Sequence, residues 1–148
     1  MRTKLDDFIP YQLSTASNAV SDLIAQEYKS RFGLKIPEWR VMAVLGDHGA
    51  STQRHLVEAT LMDKVTVNRA VKTLADRQLV VRTPNSADGR SHHLDLSNTG
   101  SELYRQIMPA AKTMEKKIMA VFSTAEVDQL SEFLSRIRKS ADEIFSNQ

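Results

Sequence analysis

Six residues in one short stretch have the types and spacing to touch a nucleic acid: Lys64, Val65, Thr66, Asn68, Arg69 and Lys72. At about 100° per residue of helix, Val67, Ala70, Val71, Leu74 and Gln78 gather on one side. Val65, Arg69, Lys72 and Asp76 lie roughly opposite, flanked by Thr66, Asn68 and Thr73. Arg69 and Lys72 stand one turn apart, so both can face one groove or its phosphates. An arginine can read guanine through two hydrogen bonds, Asn68 can pair similarly with adenine, and Val65 can meet a thymine methyl. Each good contact of this kind is worth about 1–3 kcal/mol of discrimination. The solvated face of any surface helix can carry such charges, so the pattern acquires meaning only from the elements around it.

The residues downstream supply a second candidate contact. Leu79, Val81 and Thr83 alternate with Val80 and Arg82, and Leu94 and Leu96 alternate with His93 and Asp95. Pro84, Asn85, Ser86, Asp88 and Gly89 provide turn chemistry between the two runs. A two-stranded ribbon of this size is marginal alone and must pack on neighbouring helices. Arg90, just past the turn, can enter a narrow, electronegative minor groove. By itself Asp88 with Arg90 reads as a surface pair worth at most about 1 kcal/mol.

The other elements must position these groups. Helical spacing predicts a first helix over Pro10–Phe32, with Leu13, Ala16, Val20, Leu23, Ile24 and Tyr28 inward and Gly33 as the left-handed residue that ends it. A second helix is predicted over Ile36–Gly46, with Pro37 in its first turn and Trp39, Val41, Met42 and Leu45 as its apolar residues; Asp47-His48-Gly49 then reads as a turn. Thr52 can cap a short helix to Ala59 with Leu56 and Val57 inward, and Asp63 can cap the cationic helix, which should run to Gln78. Ser97 opens a long helix to Val121 with a kink expected at Pro109. Ser123-Thr124-Ala125-Glu126 is a capping-box pattern, and the last helix carries Val127, Leu130, Leu134, Ile137, Ala141 and Ile144 on one stripe. The outer helices carry more apolar surface than a compact unit can cover, which predicts a partner subunit.

Composition narrows the function classes. The chain has 148 residues, 41% of them apolar, enough for one core of ordinary size. Net charge is only +2, but its distribution is uneven: residues 54–93 hold 7 Lys and Arg against 4 Asp and Glu, and three of the four histidines. A local basic patch on a nearly neutral body suits a phosphate-backbone partner better than a membrane. With no cysteine there is no disulfide framework or thiolate metal site. No apolar run approaches the roughly 20 residues of a membrane helix, and the amino terminus lacks a signal segment, so a cytoplasmic protein without membrane partner is expected. No Gly-rich phosphate loop, spaced His-Glu-His motif or nucleophile elbow is present, so neither an enzyme nor a cofactor is expected. His92 and His93 suggest zinc only weakly, because adjacent strand residues face opposite ways. The alternatives are a helical interaction module without DNA binding and a small hydrolytic enzyme, which would need His55, Asp88 or His93 to converge on a serine.

Three segments together resemble the MarR family of winged-helix transcriptional regulators. They are Gly33-Leu34-Lys35-Ile36-Pro37-Glu38-Trp39-Arg40-Val41, Met62-Asp63-Lys64-Val65-Thr66-Val67-Asn68-Arg69-Ala70-Val71, and Asp88-Gly89-Arg90 leading to Leu94-Asp95-Leu96-Ser97-Asn98-Thr99-Gly100. The resemblance implies a mainly α fold: a winged helix-turn-helix with a two-stranded β wing and long N- and C-terminal dimerisation helices. It implies a single domain over 1–148, with a DNA-binding lobe at about 36–97 and dimerisation helices at about 10–32 and 98–146. Thr66 and Arg69 match positions that face DNA, Asp88 the acid that steadies the wing, and Arg90 the arginine that meets DNA. The implied function is a homodimeric repressor on double-stranded DNA, at an imperfect palindrome with half-sites about 10 bp apart, released by a small aromatic or phenolic effector. Position in the family fold makes Tyr11, Ser17, Trp39 and His55 the candidate effector-binding residues. The residues by themselves place Trp39 in the core and leave His48 and His55 as ordinary turn and surface residues. Three departures concern local caps: Lys35 stands where relatives often carry a capping Thr or Ser, His55 where a Glu is frequent, and Gln78 where a glycine is usual.

Overall fold

A computed structural model describes residues 4–85 and 88–148, without the side chains of Asn85 and of residues 88–91. Among the described residues the chain forms six α-helices and a three-stranded antiparallel sheet, in the order α1 (Ile9–Phe32), α2 (Ile36–His48), β1 (Ser51–Thr52), α3 (Gln53–Thr60), α4 (Lys64–Asp76), β2 (Val80–Asn85), β3 (Asp88–Leu96), α5 (Asn98–Met119) and α6 (Thr124–Ser146). The chain divides into two compact units, Met1–Lys112 and Thr113–Gln148.

In the first unit the apolar faces of α2, α3 and α4 meet around Val41, Met42, Leu45, Leu56, Val67, Val71 and Leu74, all buried. Tyr28, Leu34, Leu79, Val80, Leu94 and Ile107 extend the core. Trp39 lies between two tyrosines, its ring centroid 5.4 Å from Tyr28 and 6.0 Å from Tyr104. Offset stacking of this kind adds about 0.5–1.5 kcal/mol per pair beyond area burial. Burial is also what chiefly raises the Tyr28 phenol above its ordinary pKa.

The helix ends show why the boundaries fall where they do. Gly33, at φ +65°, closes α1, its amide returning to the Lys29 carbonyl at 3.0 Å. α2 runs two residues past its expected end, through Gly46. Glycine in a helix costs about 1 kcal/mol relative to alanine, but a Cβ here would collide with the Tyr104 ring, so the missing side chain is what lets α5 approach. α4 stops at Asp76 rather than Gln78. Gln78 adopts φ +61°, its amide bonds the Ala75 carbonyl at 2.9 Å, and the Leu79 amide bonds the Leu74 carbonyl at 2.9 Å. This is a Schellman ending built on glutamine instead of glycine. Leu61 also takes a left-handed conformation, φ +57°, after α3, which no local signal had marked.

The sheet exceeds the expected two-stranded wing. β1 pairs with β3 through Ser51 with Leu94 and Thr52 with His93, giving the strand order β1-β3-β2. Strand β2 pairs with β3 from Val80 with Leu96 to Asn85 with Asp88, so the pairing reaches into residues expected to form the turn. The third strand follows from α3 starting immediately after Thr52, which leaves the extended Ser51-Thr52 segment beside the β3 edge. α5 begins against the far end of the same region: Ser97 donates its amide to the Leu79 carbonyl at 3.0 Å and its hydroxyl to the Gln78 carbonyl at 2.7 Å, and its Oγ accepts the Gly100 amide at 3.0 Å. The helix continues through Pro109.

In the second unit the end of α5 and the start of α6 enclose a groove of about 530 Å³ lined by Met119, Phe122, Val127, Leu130 and Leu134 among others. Ser123 and Glu126 form the expected reciprocal cap, at 3.1 and 2.9 Å. Along α6, Phe133, Leu134, Ile137, Ile144 and Phe145 are exposed.

Candidate nucleic-acid interface

The outer face of α4 is built from its first residue onward. Asp63 Oδ1 accepts the Thr66 amide and Oδ2 accepts the Thr66 hydroxyl, each at 2.8 Å. The Thr66 amide first, and its hydroxyl second, hold the Asp63 carboxyl below its ordinary pKa. Thr66 spends its proton on this cap, so only its oxygen remains to accept a bond from outside. With Val67, Ala70, Val71 and Leu74 fixing the inner face in the core, Lys64, Val65, Asn68, Arg69 and Lys72 are left exposed together. Val65 is 57% exposed, a large apolar side chain standing among cations.

Grooves flank α4 on two sides. One, of about 500 Å³, runs between the start of α2 and the flank of α4 and is bordered by Lys35, Pro37, Glu38, Thr66, Arg69, Lys72 and Asp76. The other, of about 480 Å³, lies between α3 and α4 and is bordered by Gln53, Arg54, Val57, Lys64 and Asn68. Lys35, Gln53 and Arg54 were not among the residues expected from sequence. Their placement depends on how α2 and α3 cross α4, which neither propensity nor spacing encodes.

The Asp88 and Arg90 side chains lie outside the described residues; the backbone there belongs to β3. His92 and His93 occupy adjacent β3 positions, His92 exposed and His93 half-buried. Among the described residues no three His, Asp or Glu side chains are grouped to hold a metal ion, and no helix is long and apolar enough to cross a membrane.

The four residues expected to bind an effector have separate surroundings. Trp39 is stacked in the core, and Tyr11 and Ser17 are exposed on α1. His55 is half-buried in the first turn of α3. Its amide bonds the Thr52 hydroxyl oxygen at 3.1 Å, and its ring lies 4.4 Å from that of His48.

Residues 32–91, from the last residue of α1 into β3, match the MarR family. The crystal structure of a MarR/EmrR family transcriptional regulator from an Acinetobacter species superposes with a TM-score of 0.87 at 27% identity, over 95% of this chain and 99% of that one. Over residues 32–91 and in its fold the chain is similar to MarR-family regulators. Its winged helix matches that of the MarR-family neighbour, with β3 paired to both β1 and β2 and β2 packed beside α4. A curated member, the transcriptional repressor NicR of Pseudomonas putida, is 31% identical over 85 residues, which are 57% of this chain. That alignment spans about half, 54%, of the repressor's own length. The structure of Bordetella bronchiseptica BpsR, described as a mechanism for regulation of its DNA binding by 6-hydroxynicotinic acid, shares the MarR fold with a TM-score of 0.82 at 21% identity, over 93% of this chain and 98% of that one.

Proposed function

We propose that this chain is a MarR-family regulator, a homodimeric, sequence-specific DNA-binding repressor that works in the cytoplasm on an imperfect palindrome. The observation that carries the reading is the exposed face of α4, where Val65, Asn68, Arg69 and Lys72 stand together on a helix whose opposite face is locked in the core. A helix about 10–12 Å across fits a major groove about 12 Å wide. Lys64 and Lys72 then meet phosphates, while Val65, Thr66, Asn68 and Arg69 meet base edges. Arg90, carried by the wing with Asp88 as its brace, takes the adjacent minor groove.

The lobe at about 36–97 would do the reading, and the helices at 10–32 and 98–146 would hold two lobes together. The exposed apolar stripe of α6 supports that division, since a second copy is a natural cover for Phe133, Ile137 and Phe145. The effector in this reading is a small aromatic acid or phenol that favours a lobe spacing unsuited to both half-sites, which requires different affinity in the two states. Of its candidate contacts, Tyr11, Ser17 and His55 are accessible, whereas Trp39 would need Tyr28 or Tyr104 to move.

Fluorescence anisotropy of labelled duplex DNA across a salt series tests the central reading. Affinity should fall steeply and log-linearly with salt, and sedimentation should give a dimer. Affinity that is absent or independent of salt overturns DNA binding.

A further inference from the structure

One groove of the first unit draws its positive charge from two elements at once. Lys35, at the start of α2, borders the same groove as Arg69 and Lys72 on α4. The two acids on that border oppose them unequally. Glu38 is only 6% exposed, and its carboxylate takes the Lys35 backbone amide at 3.2 Å. Asp76 is the last residue of α4, one turn beyond Lys72. Among the described residues the ion pairs are Arg54–Glu58, Arg136–Glu132 and Arg138–Asp142, so none of the three groove cations is engaged in one.

Lys35 is a poor choice for its helix. A lysine carries no acceptor for first-turn amides, and no side-chain cap bond is made at that position. What it adds is a charge on the flank of α4. If α4 lies in the major groove, its flanks face the two sugar-phosphate strands that bound that groove, and a cation on the flank meets backbone rather than base edges.

We propose that Lys35 is a DNA-phosphate contact, closing with Lys72 over one strand beside the groove that α4 occupies, while Arg69 on the same border keeps to the bases. It sets placement and salt-dependent affinity and contributes no sequence discrimination. This inference rests on the DNA-binding reading above.

The test compares the wild-type chain with Lys35→Ser, Lys35→Gln and Lys35→Arg on one mixed-sequence duplex, by anisotropy across potassium chloride concentrations, with thermal unfolding of each protein alongside. Each phosphate contact contributes about 0.9 to the slope of log affinity on log salt. Lys35→Ser and Lys35→Gln should therefore flatten the slope by about 0.9 per protomer, or about 1.8 for a two-headed dimer. Lys35→Arg should keep it. Lys35→Ser restores a cap acceptor, so its unfolding midpoint should hold or rise while its DNA binding weakens, a divergence that a merely structural role would not produce. Wild-type slope and affinity in both neutral variants overturn the Lys35 contact and leave the DNA-binding reading standing. A wild type without salt-dependent binding overturns both.

Discussion

The Arg77 guanidinium, at the end of α4, donates to the Phe32 carbonyl at the end of α1, 2.8 Å away, and reaches the Gly33 carbonyl at 3.4 Å. A cation thus sits on the free carbonyls of one helix C-terminus, where the helix dipole favours it. It also ties the far end of α4 to α1. Arg77→Ala should lower stability by about 0.5–1.5 kcal/mol, the ordinary range for one hydrogen bond, towards the low end because the side chain is exposed. Urea unfolding measures this. Arg77→Lys should recover part of it, since a single ammonium can replace the charge but not the two-pronged fork.

Gly100→Ala should be more damaging. A Cβ at that position would run into the Leu79 carbonyl oxygen, which already accepts the Ser97 amide, so neither partner can retreat cheaply. Overpacking against backbone costs about 1–3 kcal/mol. A shift in the urea midpoint with an unchanged slope is the expected signature. Wild-type stability would show that α5 can start further from the sheet than it does.

Gln78→Gly should stabilise. A left-handed conformation costs an L-residue about 1–2 kcal/mol, while glycine loses part of that gain to its freer unfolded chain. A net gain of about 0.5–1 kcal/mol is expected, readable as a higher unfolding midpoint. Leu61→Gly should behave alike, because Leu61 is 71% exposed and surrenders little burial.

Asp63 makes stability depend on pH in a defined direction. Its folded pKa is lowered, first by the Thr66 amide and then by the Thr66 hydroxyl. The unfolded chain therefore binds its proton more readily, and the contribution is complete above the ordinary aspartate pKa and lost as pH falls through the lower folded value. Asp63→Asn should be less stable than wild type at neutral pH, with the gap closing in acid. A gap that persists at low pH would show that charge is not what the cap uses.

Arg69→Ala and Lys72→Ala should weaken DNA binding differently. Loss of an arginine that reads a base costs about 1–3 kcal/mol and relaxes preference at one position, whereas loss of a phosphate lysine weakens all sequences alike. Binding to a duplex library, scored by position, separates the two. Equal, sequence-independent losses would return Arg69 to the backbone. In the same assay Arg90→Ala should lower affinity and alter A/T preference beside the core site.

Much of this protein was legible in its sequence because the signals are local. Asp63 with Thr66, Thr52 with His55, Ser123 with Glu126 and Glu38 with the Lys35 amide are all bonds across three positions, a spacing that one helical turn imposes. The buried stripe of Val67, Ala70, Val71 and Leu74, and hence the exposed cationic face opposite, follows from the same period. Tertiary structure decided what depends on closing long loops. Ser51 and Thr52 are a strand only because Leu94 and His93 lie alongside, and the Tyr104 ring fills the space a side chain at Gly46 would take inside α2. Arg77 finds Phe32 across 45 positions, and Lys35 joins Arg69 and Lys72 at one groove. Side-chain period fixes which face a residue takes on its own helix. Which other face it meets is set by how helices cross, and that crossing is a property of the packed core.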